Sequence, residues 1–161
     1  MNKIQTVKTE LTKTRKSKKG FTLVELVVVI AILAILAAIA IPIVSNTIDS
    51  STKSAGATDA QTIELALKEA HAQIISGDKS YYTAAANTEV KDVYTKKSLK
   101  NIPDTKTIGS TTYTLKWSKT DSQCKYVDAA NNKDISGNTI TGSNFSTAIT
   151  STSTAKVTSL F

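Results

Sequence analysis

A chain of 161 residues holds one modest domain with room for an anchor. Its formal charge of +7 is concentrated at one end: residues 1–20 carry seven basic side chains against Glu10 alone, a net +6, while 13 Lys against 12 acids leave +1 from Phe21 onward. The basic balance belongs to the leader, so overall charge does not support a nucleic-acid-binding face on the rest of the chain.

The leader ends in Lys18-Lys19-Gly20-Phe21-Thr22-Leu23-Val24-Glu25, and an apolar run follows at once. Leu26 to Val44 holds 19 residues without a charge or a hydrogen-bonding side chain. As a helix it spans about 28 Å at roughly 1.5 Å per residue, matching a hydrocarbon core of about 30 Å. The basic leader keeps the N-terminus cytoplasmic and places the remainder outside. An ordinary secretory signal fits less well. Its apolar region is about 7–15 residues, and the small-x-small site Ala38-Ile39-Ala40 lies inside the run. A plain anchor leaves Glu25 unexplained, because a carboxylate in hydrocarbon costs roughly 2–3 kcal/mol or more and marks function.

These residues resemble the processing signal of type IV prepilins and pseudopilins: a basic leader, then Gly20, Phe21, Thr22, Leu23, Val24 and Glu25, continuing through Ile35-Leu36-Ala37-Ala38-Ile39-Ala40-Ile41-Pro42. The resemblance covers about a quarter of the chain. It implies cleavage between Gly20 and Phe21 by prepilin peptidase on the cytoplasmic side, then N-methylation of Phe21. A glycine before the cut lets backbone approach a protease closely. It also implies assembly through Phe21, Glu25 and Pro42. Glu25 of one subunit pairs with the Phe21 amine of the next, so that each buried charge meets its opposite. A competing reading has Glu25 merely favoured by the helix dipole at the interface. Pro42 is expected to kink the helix. Ala34 stands where some relatives carry a glycine that aids local melting, and alanine is the best helix former.

The implied fold is α+β: one long helix from Phe21 to about Ser76, its outer half packed on a small antiparallel sheet. The implied organisation is 1–20 leader, 21–44 membrane and filament-core helix, and 45–161 outer helix plus head. Ser45 to Thr58, with Gly56 inside, reads alone as a linker. Beyond it, Ala60, Ile63, Leu67, Ala70 and Ile74 form a helical stripe, and Gly77 supplies a cap. His71 sits beside the stripe as a surface or boundary residue without a ligand set.

Residues 78–106 read as a long connection. Within it, Asn87 or Thr88 caps a short helix carrying Val90, Val93 and Tyr94, and Pro103-Asp104 marks a turn. Lys96, Lys97, Lys100 and Lys106 read as a solvated loop, and Tyr81 and Tyr82 as packed rather than adhesive. Thr111 to Ser118 alternates as a half-buried strand, with Tyr113, Leu115 and Trp117 on one face; Gln123 to Val127 pairs with it as a hairpin. From Ser136 to Ser159, 13 of 24 residues are Ser or Thr. Such a composition permits exposed strands, as in Ala155 to Leu160, and equally a poorly ordered or glycosylated surface. Asn144-Phe145-Ser146 fits the N-linked acceptor pattern but carries little weight in a bacterial chain.

Cys124 is the single cysteine, read as a small core residue, and no intrachain disulfide is possible. Many Gram-negative pilins clamp the C-terminal region with a disulfide; its lack, in a Lys-rich chain, leans toward a Gram-positive source. No nucleophile–base set, phosphate loop, metal cluster or cofactor site is visible in the sequence. The leading expectation is therefore a non-enzymatic pilus subunit, partnered by other pilin subunits, prepilin peptidase, the assembly platform and the cytoplasmic membrane. The alternatives are a secretion or competence pseudopilin and an adhesive or DNA-binding minor pilin. The calcium loop of the major secretion pseudopilins has no counterpart, since only Asp128 and Asp134 lie near the C-terminal region.

Overall fold

The structure, a computed structural model, describes residues 20–77, 87–141 and 144–161. The leader lysines and Tyr81 and Tyr82 lie outside the described residues. The chain divides into two units, one ending at Val44 and one running from Ser45 to Phe161.

Helix α1 runs Leu23–Ser76 without a break, through Ala34, Pro42 and Gly56. In the first unit it is long and apolar enough to cross a membrane. Every side chain from Phe21 to Val44 is exposed, although most are Val, Ile, Leu or Ala. Exposed apolar surface on this scale marks a membrane or protein contact.

In the second unit Ser45–Thr58 is helical. Its hydroxyls are accommodated by back-bonding: Thr52 Oγ1 donates to Ile48 O at 2.9 Å and Thr58 Oγ1 to Ser54 O at 3.1 Å. The expected stripe is the core face, with Ala60, Ile63, Leu67 and Ala70 buried. Burying a side chain such as Ile63 or Leu67 stabilises by about 1.5–3 kcal/mol. Gly56 belongs to the same face. A Cβ there would lie 2.5 Å from Ile135 Cδ1, so glycine permits the close approach of helix and head. Gly77 ends α1 at φ +73°, its N–H donating to Ile74 O at 3.3 Å.

The short helix α2, Val90–Lys96, buries Val90, Val93 and Tyr94. Its cap is Glu89, not Asn87 or Thr88: the Glu89 N–H donates to Asp92 Oδ2 at 3.0 Å, three residues ahead. Among the described residues five strands form one antiparallel sheet: β1 Thr105–Ile108, β2 Thr111–Ser118, β3 Gln123–Asp128, β4 Lys133–Asp134 and β5 Phe145–Ala148. β2 is central and has the bounds expected. It pairs with β3 in the expected hairpin, Leu115 opposite Tyr126 and Trp117 opposite Cys124. On its other side lie β1 and then β5, with a register shift between Trp117 and Ser118. Leu115 and Trp117 face the helix core, Tyr113 packs at its margin, and Cys124 is buried among them. Val127, Ile140 and Phe145 make a second, smaller core.

Two expectations are corrected. The lysine cluster is not uniformly a solvated loop. Lys106 lies on β1 with its side chain 13% exposed and pairs with Asp59 of α1 at 2.7 Å, and Lys97 pairs with Glu69 at 2.6 Å. Residues 155–160 are not an exposed strand: α3, Val157–Leu160, is one helical turn whose Val157 and Leu160 enter the main core. Trp117 Nε1 donates to Leu160 O at 2.7 Å, which fixes the turn against the sheet.

Candidate processing and assembly site

Gly20 and Phe21 precede α1 in open surroundings. No heavy atom lies within 4 Å of where a Gly20 Cβ would stand, and Phe21 is 91% exposed. A peptide bond so placed can enter a protease cleft without rearrangement of the described chain.

Thr22 and Glu25 then close the helix start reciprocally. The Thr22 N–H and hydroxyl both donate to Glu25 Oε2, at 2.8 and 2.7 Å, and the Glu25 N–H donates to Thr22 Oγ1 at 3.2 Å. The Leu26 N–H donates to Thr22 O at 3.2 Å as the first turn forms. This is a capping box, Thr-x-x-Glu, in which two orphan N–H groups are satisfied by side chains. Thr22 is the functional residue that the reading of the sequence overlooked, and the Thr22-Leu23-Val24-Glu25 spacing was the signal for it. The box holds the Glu25 carboxylate at the positive end of the helix, within one turn of Phe21.

Pro42 does not join this group. It sits 17 residues beyond Glu25 inside α1, about 25 Å along a helix at 1.5 Å per residue. His71 lies elsewhere again. Half-buried on the outer part of α1, it stacks on Phe161.

The head has a groove of about 370 Å³ between α1 and the β3–β4 edge, lined in part by Gln61, Glu64, Cys124, Lys125, Asp134 and Asn138. Its acids are engaged in structure. Glu64 accepts from Lys68 Nζ at 2.7 Å and from the Cys124 N–H at 3.1 Å. Asp134 accepts the Ser136 and Asn138 N–H groups at 3.0 and 2.9 Å. Burial, reinforced by the Glu64 carboxylate, pushes the Cys124 thiol well above its ordinary range, which suits a packing residue and not a nucleophile. Among the described residues no group of three or more His, Cys, Asp or Glu is arranged to hold a metal ion.

Residues 15–41 match the family model described as the prokaryotic N-terminal methylation motif. No curated protein and no solved structure matches the chain. The matched stretch contains Gly20, Phe21, Thr22, Glu25 and most of the apolar helix, and it implies processing by prepilin peptidase. The chain thus carries the N-terminal methylation motif typical of type IV pilins and pseudopilins, ahead of a pilin-like α+β fold.

Proposed function

We propose that this protein is a structural subunit of a type IV pilus. Prepilin peptidase cuts between Gly20 and Phe21 and methylates Phe21. The apolar half of α1 holds the subunit in the cytoplasmic membrane with its head outside, then packs with other copies as the filament core. The heads tile a surface filament serving adhesion, motility or a related task, and the mature subunit carries out no chemistry.

One observation carries this reading: a lone carboxylate, Glu25, heads an apolar helix whose every side chain as far as Val44 is exposed, directly after the methylation motif's Gly20-Phe21. An anchor alone has no use for that acid, whereas an assembly must neutralise the new Phe21 amine in an apolar core. Mass spectrometry of the N-terminal peptide from filaments sheared off the cell surface tests it. The expected peptide begins with methylated Phe21. Uncut protein, or a start beyond Pro42, would reject the reading.

A further inference from the structure

The outer part of α1 changes character at Gly56. Eight of the eleven residues from Ser45 to Ala55 are Ser, Thr, Asn or Asp. Such side chains bond nearby backbone in other conformations, so each favours the helix less than alanine does. None of the stretch is buried: Asp49 and Thr52 are partly covered, and the other nine residues are exposed. Asp49 and Lys53 have the acid-first spacing of four that supports a helix, yet they form no ion pair, whereas Glu64 and Lys68 close at 2.7 Å. The back-bonds from Thr52 to Ile48 O and from Thr58 to Ser54 O are of a kind that slightly weakens a helix and often bends it.

From Gly56 onward the helix is held. The open side of Gly56 lies against Ile135, Asp59 pairs with Lys106 of β1 at 2.7 Å, and Ala60, Ile63, Leu67 and Ala70 are buried. Most helical stability in a folded protein comes from a packed face, not from propensity. Ser45–Ala55 has neither.

We propose that Ser45–Ala55 is a joint, which unwinds locally and reversibly while the helix from Gly56 onward stays on the sheet. A residue that passes from helix to extended chain lengthens from about 1.5 to about 3.4 Å, so unwinding the eleven residues from Ser45 to Ala55 releases about 20 Å. In the pilus subunit proposed above, and resting on that reading, the joint yields to tension without unfolding the head.

Hydrogen exchange of the full chain in detergent micelles, read by mass spectrometry of overlapping peptides, tests the joint. Amides of residues 46–55 are expected to exchange at least about a hundredfold faster than those of residues 60–74. Equal protection of the two stretches would overturn the proposal. Ser50, Ser51 and Ser54 are exposed, so exchanging all three for alanine changes propensity and leaves packing alone. Ser50→Ala/Ser51→Ala/Ser54→Ala is expected to slow exchange of residues 46–55 by about tenfold, with residues 60–74 unchanged. Exchange as fast as in the parent would overturn the cause assigned to the joint. Single filaments pulled between beads test its use. The triple variant is expected to lengthen less than the parent at the same force, and equal lengthening would overturn the mechanical role. Failure of the parent chain to form filaments would instead bring down the pilus-subunit reading, with the joint still decided by its exchange.

Discussion

The imidazole of His71 lies flat on the ring of Phe161, with centroids 4.0 Å apart and planes 9° from parallel. The other side of the contact is Trp117, whose ring meets Phe161 edge-on at 4.9 Å and 62°. One aromatic residue thus joins the outer part of α1 to the central strand. Such pairs add about 0.5–1.5 kcal/mol beyond the area they bury. His71→Ala is expected to lower the unfolding free energy of the mature protein by about 1 kcal/mol, read as a lower denaturant midpoint with an unchanged slope. Phe161→Ala is expected to cost more, since it removes both ring contacts. Equal midpoints for parent and His71→Ala would show that the stacking contributes nothing.

Cys124 gives a prediction with a defined pH sense. Burial first, and the Glu64 carboxylate second, raise its thiol pKa in the folded chain. The native protein therefore keeps a proton that the unfolded thiol releases near pH 8.5. This contribution to stability is complete below that pH and is lost progressively as pH rises above it. Alkylation by iodoacetamide at pH 8 is expected to be slow in the native protein and fast in denaturant. Rapid native labelling, followed by mass spectrometry, would contradict the buried placement.

Gly56 answers to packing, not to backbone conformation, since it is helical and its missing Cβ points at Ile135. Gly56→Ala gains about 1 kcal/mol of helix propensity against displacement of one flexible methyl, so the net change is expected to be small. Gly56→Val adds a stiff branched side chain that cannot rotate aside, and a loss of about 1–3 kcal/mol is expected from overpacking. Thermal unfolding of the two variants side by side checks the contrast.

Thr22 and Glu25 allow the capping role to be separated from assembly. Thr22→Ala removes a hydroxyl from the cap, a change costing about 1 kcal/mol of helix stability, but leaves the carboxylate. Glu25→Gln keeps an acceptor for the Thr22 N–H and removes the charge. Thr22→Ala is expected to keep most of the filament yield. Glu25→Gln and Glu25→Ala are expected to lose most of it while still being cut after Gly20. Normal yield from Glu25→Ala would leave the acid with a capping role only.

The elements legible in the sequence were those whose signal is local. The alternation of Tyr113, Leu115 and Trp117 against threonine and lysine gave β2 to the residue, and the Ala60–Ile74 stripe gave the core face of α1. The long-range contacts were not legible. Thr105–Ile108 alternates exposed with half-buried, but one of its two half-buried residues is Lys106, which reaches Asp59 from 47 residues away, so residue type does not announce the strand that pairs with the β2 edge. Val157 and Leu160 stand in a serine- and threonine-rich tail, and only the Trp117 bond to Leu160 and the core beneath make them a buried turn. At the helix start, the resemblance to prepilins singled out Gly20, Phe21 and Glu25, and they lie within the stretch that matches the methylation motif. Thr22 passed as one more residue of a motif because its partner, Glu25, already had a reading of its own.

The bond from the Cys124 N–H to Glu64 bears on how the heads behave when crowded. Among the described residues β4 pairs with β3 at Val127 and Asp128 and the Ile135 N–H bonds the Tyr126 carbonyl, so backbone pairing on this side stops short of Cys124. An open edge of this kind is a template onto which a stray strand from another molecule can add. Glu64 occupies the donor with a side chain, and its charge lies where an incoming backbone would have to pass. A polymer that brings many identical heads together would otherwise multiply the opportunities for edge-to-edge fusion. In the pilus proposed above, a single helix carboxylate that occupies this donor takes away one point at which such a strand could add.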